Sequence, residues 1–291
     1  MNRSVRIVRI VLTLVVASLG CSRIGGVRQR LFHRETTVPA PELGTLPRDT
    51  RAPVAVRPVP RSPRAGILGP VAARPASWHN IGASVEGRPI EAMQIGTGPA
   101  RVLLIGGIHG DEPEGQPLVD RLVEELAADS RAARNSSLLI VRDLNPDGTE
   151  ANTRTNSNGV DLNRNFPASN WDSTASNPRF NPGPRASSEP ETKLLVEVLR
   201  AFQPERILVM HATRGKPMVN YDGPARELAD SLSQLNGYQT TDTIGYPTPG
   251  SLGSYAGIDL QIPIITLELP RGIRADAAWQ ANSDALRRFA R

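Results

Sequence analysis

Apolar positions fall into three regimes along the 291-residue chain. Ile10 to Leu19 is one continuous apolar stretch, residues 34–75 show no apolar period, and from Trp78 onward short aliphatic runs alternate with helical periods. In the last regime the runs at Arg101 to Ile105, Leu138 to Leu144, Arg206 to Met210 and Ile264 to Leu267 predict strands. Leu118, Val119, Leu122, Val123 and Leu126 recur at helical spacing, as do Leu194, Leu195, Val198, Leu199 and Phe202. Ser188 and Glu191 stand in capping-box register at the start of the second of these helices. Further helices are expected over Pro224 to Leu235 and from about Ala275, and Ser84 to Ile95 reads as an edge hairpin turning through Glu86-Gly87-Arg88-Pro89. Strands alternating with helices imply an α/β fold: a single domain over residues 78–291, with a mixed, mostly parallel, twisted sheet flanked by helices. That length buries an adequate core without disulfides, and the chain's single Cys could form none internally.

The N-terminal regimes carry a different message. Arg3, Arg6 and Arg9 precede the apolar stretch, which stops at Gly20-Cys21-Ser22, the layout of an export signal. A stretch of ten residues is too short to span a bilayer, and no longer apolar run exists, so a multi-span membrane protein is excluded. Cys21 stands where a lipoprotein signal is cut, and the stretch resembles a lipobox, with Ser18 where Leu is usual. Residues 1–21 are therefore expected to be a signal peptide of lipoprotein type, which would make the protein exported, periplasmic or cell-envelope, and membrane-anchored. Nine prolines between Arg34 and Pro75, with no aromatic residue between Phe32 and Trp78, make residues 22–77 a disordered Pro/Arg-rich spacer.

Net charge looks like a nucleic-acid signal until it is divided. The first 77 residues carry thirteen Arg against Glu35, Glu42 and Asp49; the rest carries 21 basic and 26 acidic residues. A mildly acidic domain without a basic stripe argues against phosphate-backbone binding.

Candidate chemistry gathers after the strands. His109-Gly110-Asp111-Glu112 follows one directly, so its side chains emerge at the carboxyl end of the sheet, where open α/β folds place ligands. His211 ends another strand, and Glu268 ends the apolar run Ile262 to Leu267, where an unpaired carboxylate costs several kcal/mol. Two His and one carboxylate leave an open position on a tetrahedral zinc ion, and a further carboxylate can take a proton from an attacking water. Between these segments, the irregular stretch Asn145 to Arg185 carries Asp161-Leu162-Asn163-Arg164-Asn165-Phe166-Pro167. Loops of that length in compact domains are usually functional or disordered.

In order, His109/Glu112, Asn163/Arg164, His211 and Glu268 resemble the motif set of the zinc carboxypeptidases across nearly all of residues 78–291. Within that family, Asn156 to Trp171, Ser188 to Thr192 and Gly245 to Ser251 look like the murein peptide amidases, which cleave the γ-D-glutamyl to diaminopimelate bond of peptidoglycan peptides. The resemblance implies one zinc per chain on His109, Glu112 and His211, with Glu268 as general base and then general acid. It further implies Asp161 behind His109, Arg154 at the developing oxyanion, and Asn163 with Arg164 clamping the substrate's terminal carboxylate. Tyr246 falls where the family has a mobile phenol, although a packed aromatic in a Gly/Pro loop reads nearly as well. Asp111 stands where digestive carboxypeptidases have Arg, and Ala212 to Pro217 differs from the His-Asp-Pro of the murein peptide amidases; both departures bear on substrate rather than on zinc. Asn220-Tyr221-Asp222-Gly223 reads equally as pocket contacts or as a turn.

The expected protein is an exported zinc hydrolase acting on a small peptide with a free carboxylate, with murein peptides favoured. The alternatives are a carboxypeptidase for L-peptides, an N-acyl amino acid deacylase and a zinc-dead wall-peptide binder.

Overall fold

The computed structural model describes residues 77–129, 134–174 and 177–291. The expected signal peptide with Cys21, and the spacer up to residue 76, lie outside the described residues. No helix among those described is long and apolar enough to cross a membrane.

Eight strands form one mixed sheet in the order β1-β2-β4-β3-β5-β8-β6-β7. They run β1 His79–Ala83, β2 Pro89–Ile95, β3 Ala100–Ile105, β4 Ser136–Val141, β5 Arg206–Thr213, β6 Met218–Asp222, β7 Gln239–Thr241 and β8 Ile264–Pro270. The central strands β4, β3, β5 and β8 are parallel neighbours, while β1, β2 and β6 attach antiparallel on the flanks. Among the described residues five α-helices flank the sheet: α1 Gln116–Ala128, α2 Pro146–Ala151, α3 Pro190–Phe202, α4 Arg226–Asn236 and α5 Ala275–Ala290.

Alternation along β3 shows why both faces must be covered. Val102 and Leu104 enter one apolar cluster with α1, α4 and α5, whereas Leu103 and Ile105 enter the other with α3, Phe166 and Tyr255. All four are fully buried. At about 2 kcal/mol per buried aliphatic side chain, this strand alone ties the two layers together.

Several boundaries differ from the sequence reading, each for a local reason. The predicted strand Leu138 to Leu144 occupies Ser136–Val141, because the backbone beyond turns so that Leu144 donates to the Gly107 carbonyl (3.0 Å). The hairpin begins earlier, at His79, with residues 84–88 as its turn. At α3 the capping box does not form: Glu189 is the N-cap residue without a side-chain cap, and Glu191 instead accepts from the Val85 amide (3.1 Å) and Asn156 (3.1 Å). Within the stretch read as irregular, Asn145 accepts from the Gly148 amide (2.9 Å) and caps α2, so Asn145-Pro146-Asp147-Gly148 opens a helix. Finally, β5 and β8 continue in register to Thr213 and Pro270, which places His211 and Glu268 inside strands, two residues before their ends.

Candidate metal centre

His109 lies on the turn that leaves β3, with Glu112 donating its amide to the His109 carbonyl (3.1 Å). Gly110 makes this turn possible. A Cβ there would stand 1.8 Å from the carbonyl carbon of Gly148, so only a residue without a side chain lets the turn sit on α2. From β5, His211 comes up beside Glu268 of β8, its in-register partner. Adjacent strands are ~4.8 Å apart, so the two side chains are neighbours on one face.

The three predicted metal ligands meet. His109, Glu112 and His211 are all buried, and one donor atom from each lies within 4.8 Å of the others. Nδ1 of His109 is 3.1 Å and Nδ1 of His211 2.8 Å from the same oxygen, Oε2 of Glu112. Donors that each reach zinc at ~2.0–2.2 Å must be about this close to one another. The other nitrogen of His109 settles its tautomer: Nε2 donates to Asp161 Oδ1 (3.0 Å), since a carboxylate accepts only. Nδ1 of His109 is thereby left buried with no hydrogen-bond partner. A lone pair buried without a partner is costly, and a metal ion is what would satisfy it, so the residues fit zinc.

Charge around the centre is arranged in opposing pairs. Burial works against ionisation of Glu112, but the two imidazoles outweigh it and hold the carboxyl well below its usual range. Asp161 is likewise held down by His109 and Arg154 against its own burial. It also caps the short turn Leu162–Arg164 by accepting from the Asn163 amide (2.9 Å), so one carboxylate both supports His109 and caps this turn. Arg154 donates from Nε to Asp161 Oδ2 (2.9 Å) and from a terminal nitrogen to Glu112 Oε1 (3.2 Å), which outweigh burial and raise its pKa further.

These groups open into a cavity of about 440 Å³, whose lining includes Glu268, Arg154, Asn163, Arg164, Phe180, Asp222 and Tyr246. Burial pushes Glu268 above its usual carboxyl range, the direction a proton acceptor working near neutrality requires. Asn163 is fixed by accepting from the Leu252 amide (2.9 Å), and its Nδ2 lies 3.4 Å from His211 Nε2. Arg164 is only 5% exposed. It donates to the Asn163 carbonyl (2.7 Å), yet no carboxylate among the described residues pairs with it, and burial lowers its pKa. Tyr246 is 47% exposed at the mouth, with its ring 6.0 Å from that of Phe180.

Phe180 and Asp222 were among the lining residues to which the sequence assigned no role. Phe180 is a lone aromatic in a polar segment, with no period to mark it. Asp222 had been left open between pocket and turn: it ends strand β6, the chain turns only at Gly223 with φ +67°, and the Asp222 carboxyl lines the cavity. Gly253 and Gly257, in the π-helical turn Gly253–Asp259, make room for it, since a Cβ on Gly253 would stand 2.2 Å from Asp222 Oδ2. Among the described residues no donor or cation meets this carboxyl, and burial raises its pKa to about 6.

Two imidazoles and a carboxylate sharing one point, with a further carboxylate beside them at the carboxyl ends of parallel strands, define a metal-dependent hydrolase. The zinc carboxypeptidase family (peptidase M14) matches residues 73–272. Murein peptide amidase A of Escherichia coli K12 is 34% identical over 180 residues, covering 58% of this chain and 70% of that one. Its namesake in Vibrio campbellii is 30% identical over 246 residues, covering 80% and 92%. The crystal structure of murein-tripeptide amidase MpaA from Escherichia coli O157 superposes with a TM-score of 0.60 at 30% identity, over 79% of this chain and 96% of that one. The chain belongs to the zinc carboxypeptidase family and is a zinc hydrolase.

Proposed function

We propose that the protein is an exocleaving amidase of murein peptides, removing a terminal residue that carries a free carboxylate and a cationic side chain. The observation that carries this reading is the pair of unmatched charges in one cavity: Arg164, a buried guanidinium that no carboxylate among the described residues ion-pairs, and Asp222, a half-buried carboxyl that no cation among them ion-pairs. Each costs free energy in the empty protein, and a substrate bearing both opposite charges removes both costs. Diaminopimelate has a carboxylate beside the scissile amide and, at the end of its side chain, an amine next to a second carboxylate, so its amine can meet Asp222 while its first carboxylate meets Arg164. The similarity to murein peptide amidases supports the same substrate class. A terminal Lys or Arg would also satisfy Asp222, so a carboxypeptidase for basic L-residues is the second reading.

In the proposed mechanism His109, Glu112 and His211 hold one zinc, and Asp161 fixes the tautomer and orientation of His109. Zinc bound there supplies Lewis acidity, lowering the pKa of water toward ~7. Arg164 and Asn163 fix the substrate's terminal carboxylate, while Asp222 takes its cationic side chain. Glu268 accepts the proton of the attacking water and delivers it to the departing amine. Arg154, held on two edges by Asp161 and Glu112, presents its charge where the carbonyl oxygen turns negative. Tyr246, exposed at the mouth, closes over the bound residue. We further propose that the protein is exported and held at the membrane by lipidation of Cys21.

The deciding experiment incubates the full-length protein, in detergent, with purified muropeptides and with L-peptides ending in Lys, Arg or Ala, and identifies products by mass spectrometry. Release of diaminopimelate-containing products supports the reading; cleavage of the L-peptides alone replaces it with the second. Metal analysis of protein purified without chelator should find about one zinc per chain, and none would remove the mechanism.

Asp222 gives a prediction with opposite signs for stability and activity. Its folded pKa of about 6 lies above the unfolded 3.8, so the folded state holds the proton more tightly. Stability from this group is therefore present at low pH and lost as pH rises from about 4 through about 6. Asp222→Asn removes the buried charge and should stabilise the protein at pH 8 by about 1–2 kcal/mol, allowing for partial exposure, with no gain at pH 4. The same change should weaken substrates with a cationic terminal side chain at least about 10-fold while sparing neutral ones. Thermal melts at the two pH values and kcat/KM on the two substrate types read this out; a destabilised variant at pH 8 would contradict it.

A further inference from the structure

We propose that Phe180 is a positioning residue whose ring sets the two active-site guanidiniums; this rests on the roles proposed above for Arg154 and Arg164. The Cζ atoms of Arg154 and Arg164 lie 5.4 Å and 5.2 Å from the centre of that one ring. Both distances are within the ~6 Å over which an aromatic face attracts a cation. The two arginines need such a surface because each disfavours the charge of the other in a shared cavity. Arg154 is in direct contact with Asp161 and Glu112, whereas Arg164 feels the Asp161 charge without an ion pair and meets the Tyr246 phenol, so the electron-rich ring is the face the two guanidiniums share.

The placement of the ring is built into the chain around it. Asn177, Pro178 and Arg179 are exposed, whereas Phe180 is half-buried, and Arg179 and Phe180 both line the cavity. The turn is closed by the Phe180 amide donating to the Asn177 carbonyl (2.9 Å) and by Asn177 Oδ1 accepting from the Arg179 amide (2.9 Å). Immediately after it, the Asn181 carbonyl accepts from the Asp161 amide (2.8 Å), and Asn181 Nδ2 donates to the Gly159 carbonyl (2.9 Å). Asp161 is the residue that holds both His109 and Arg154. The ring is thus referenced, through one residue, to the same backbone that orients the metal centre.

An apolar wall would serve equally well with any side chain of similar bulk; a platform for guanidinium needs a π face. Phe180→Leu tests the difference, with Phe180→Tyr as the conservative rescue and zinc content and melting temperature as controls. The Leu variant should lose about 10-fold in kcat/KM, the scale of a partly desolvated cation–π contact. Its KM should rise for substrates with a free terminal carboxylate but not for their carboxamides, and its kcat should fall on both. Tyr should return activity to within about 3-fold. Independently of turnover, the Nε–H resonances of Arg154 and Arg164 in 15N spectra should lose their ring-current shifts in the Leu variant and regain them in the Tyr variant. Unmoved resonances, or Leu and Tyr equally impaired, overturn the proposal. If the parent cleaves none of the peptides while the resonances shift as described, the hydrolytic reading fails and the placement of the guanidiniums by Phe180 stands.

Discussion

Glu268→Gln should leave a folded protein that still holds zinc and turns over its substrate at least about 10²-fold more slowly. The metal donors His109, Glu112 and His211 are untouched, so metal content measured by plasma mass spectrometry should match the parent. What changes is the proton path. A carboxylate at the in-register partner position of His211, lining the same cavity as the metal donors, can take a proton from water and return it to a leaving amine; a carboxamide of the same shape can do neither. General acid–base groups contribute typically 10²–10⁴-fold, which sets the expected loss. The substitution also removes the cost of a buried charge, since burial already pushes Glu268 toward its neutral form, so the variant should melt no lower than the parent. Two further signatures separate this role from a structural one. KM should change little, because Glu268 is not proposed to bind the substrate. The acidic limb of the parent's kcat/KM profile, where activity falls as Glu268 takes up its proton, should be missing from the variant's residual activity. Unchanged turnover would exclude Glu268 as the base and with it the whole proposed division of labour.

The elements that carry the metal donors were legible in the sequence because parallel strands in an α/β fold are buried on both faces and read as short aliphatic runs. His109, His211 and Glu268 stood out as polar residues just beyond such runs. Their positions were right although the strand ends were not: pairing between β5 and β8 continues two residues past His211 and Glu268, and that extension depends on a partner distant in the chain. The same dependence explains the failed capping box. Glu191 has the local spacing to reach back, but the Val85 amide and Asn156, brought up from elsewhere, claim its carboxyl. Phe180 is the extreme case. Nothing in Asn-Pro-Arg-Phe-Asn separates it from a loop filler, and its contacts with Arg154, Arg164 and Tyr246 exist only once residues from three segments share a cavity. Asp222 was ambiguous because strand β6 ends on it and the chain turns at the next residue, Gly223, and the room left for its carboxyl is created by the absence of side chains at Gly253 and Gly257.

Arg164→Ala should cost about 10- to 10²-fold in kcat/KM on substrates with a free terminal carboxylate and nothing on the same substrates with that group amidated. The expectation starts from an imbalance: a guanidinium 5% exposed, lowered in pKa by burial, with a backbone carbonyl, a ring face and the Tyr246 phenol beside it and only the charge of Asp161, without an ion pair, in its favour. Hydrogen bonds to charged groups are worth ~1.5–3 kcal/mol, which corresponds to the stated loss when the partner is removed. Amidating the substrate deletes the same interaction from the other side. The two changes must therefore be non-additive: amidation should penalise the parent by about the factor that the substitution does, and should penalise the variant hardly at all. Lys in place of Ala keeps the charge but not the planar fork, so Arg164→Lys should recover only part of the loss. The loss should sit in KM, because a terminal carboxylate is present before and throughout the reaction and is held equally in both states. An Ala variant that loses as much on the amidated substrate as on the free one would show that Arg164 supports the cavity rather than grips the substrate, and would leave the preference for a terminal residue without a physical cause.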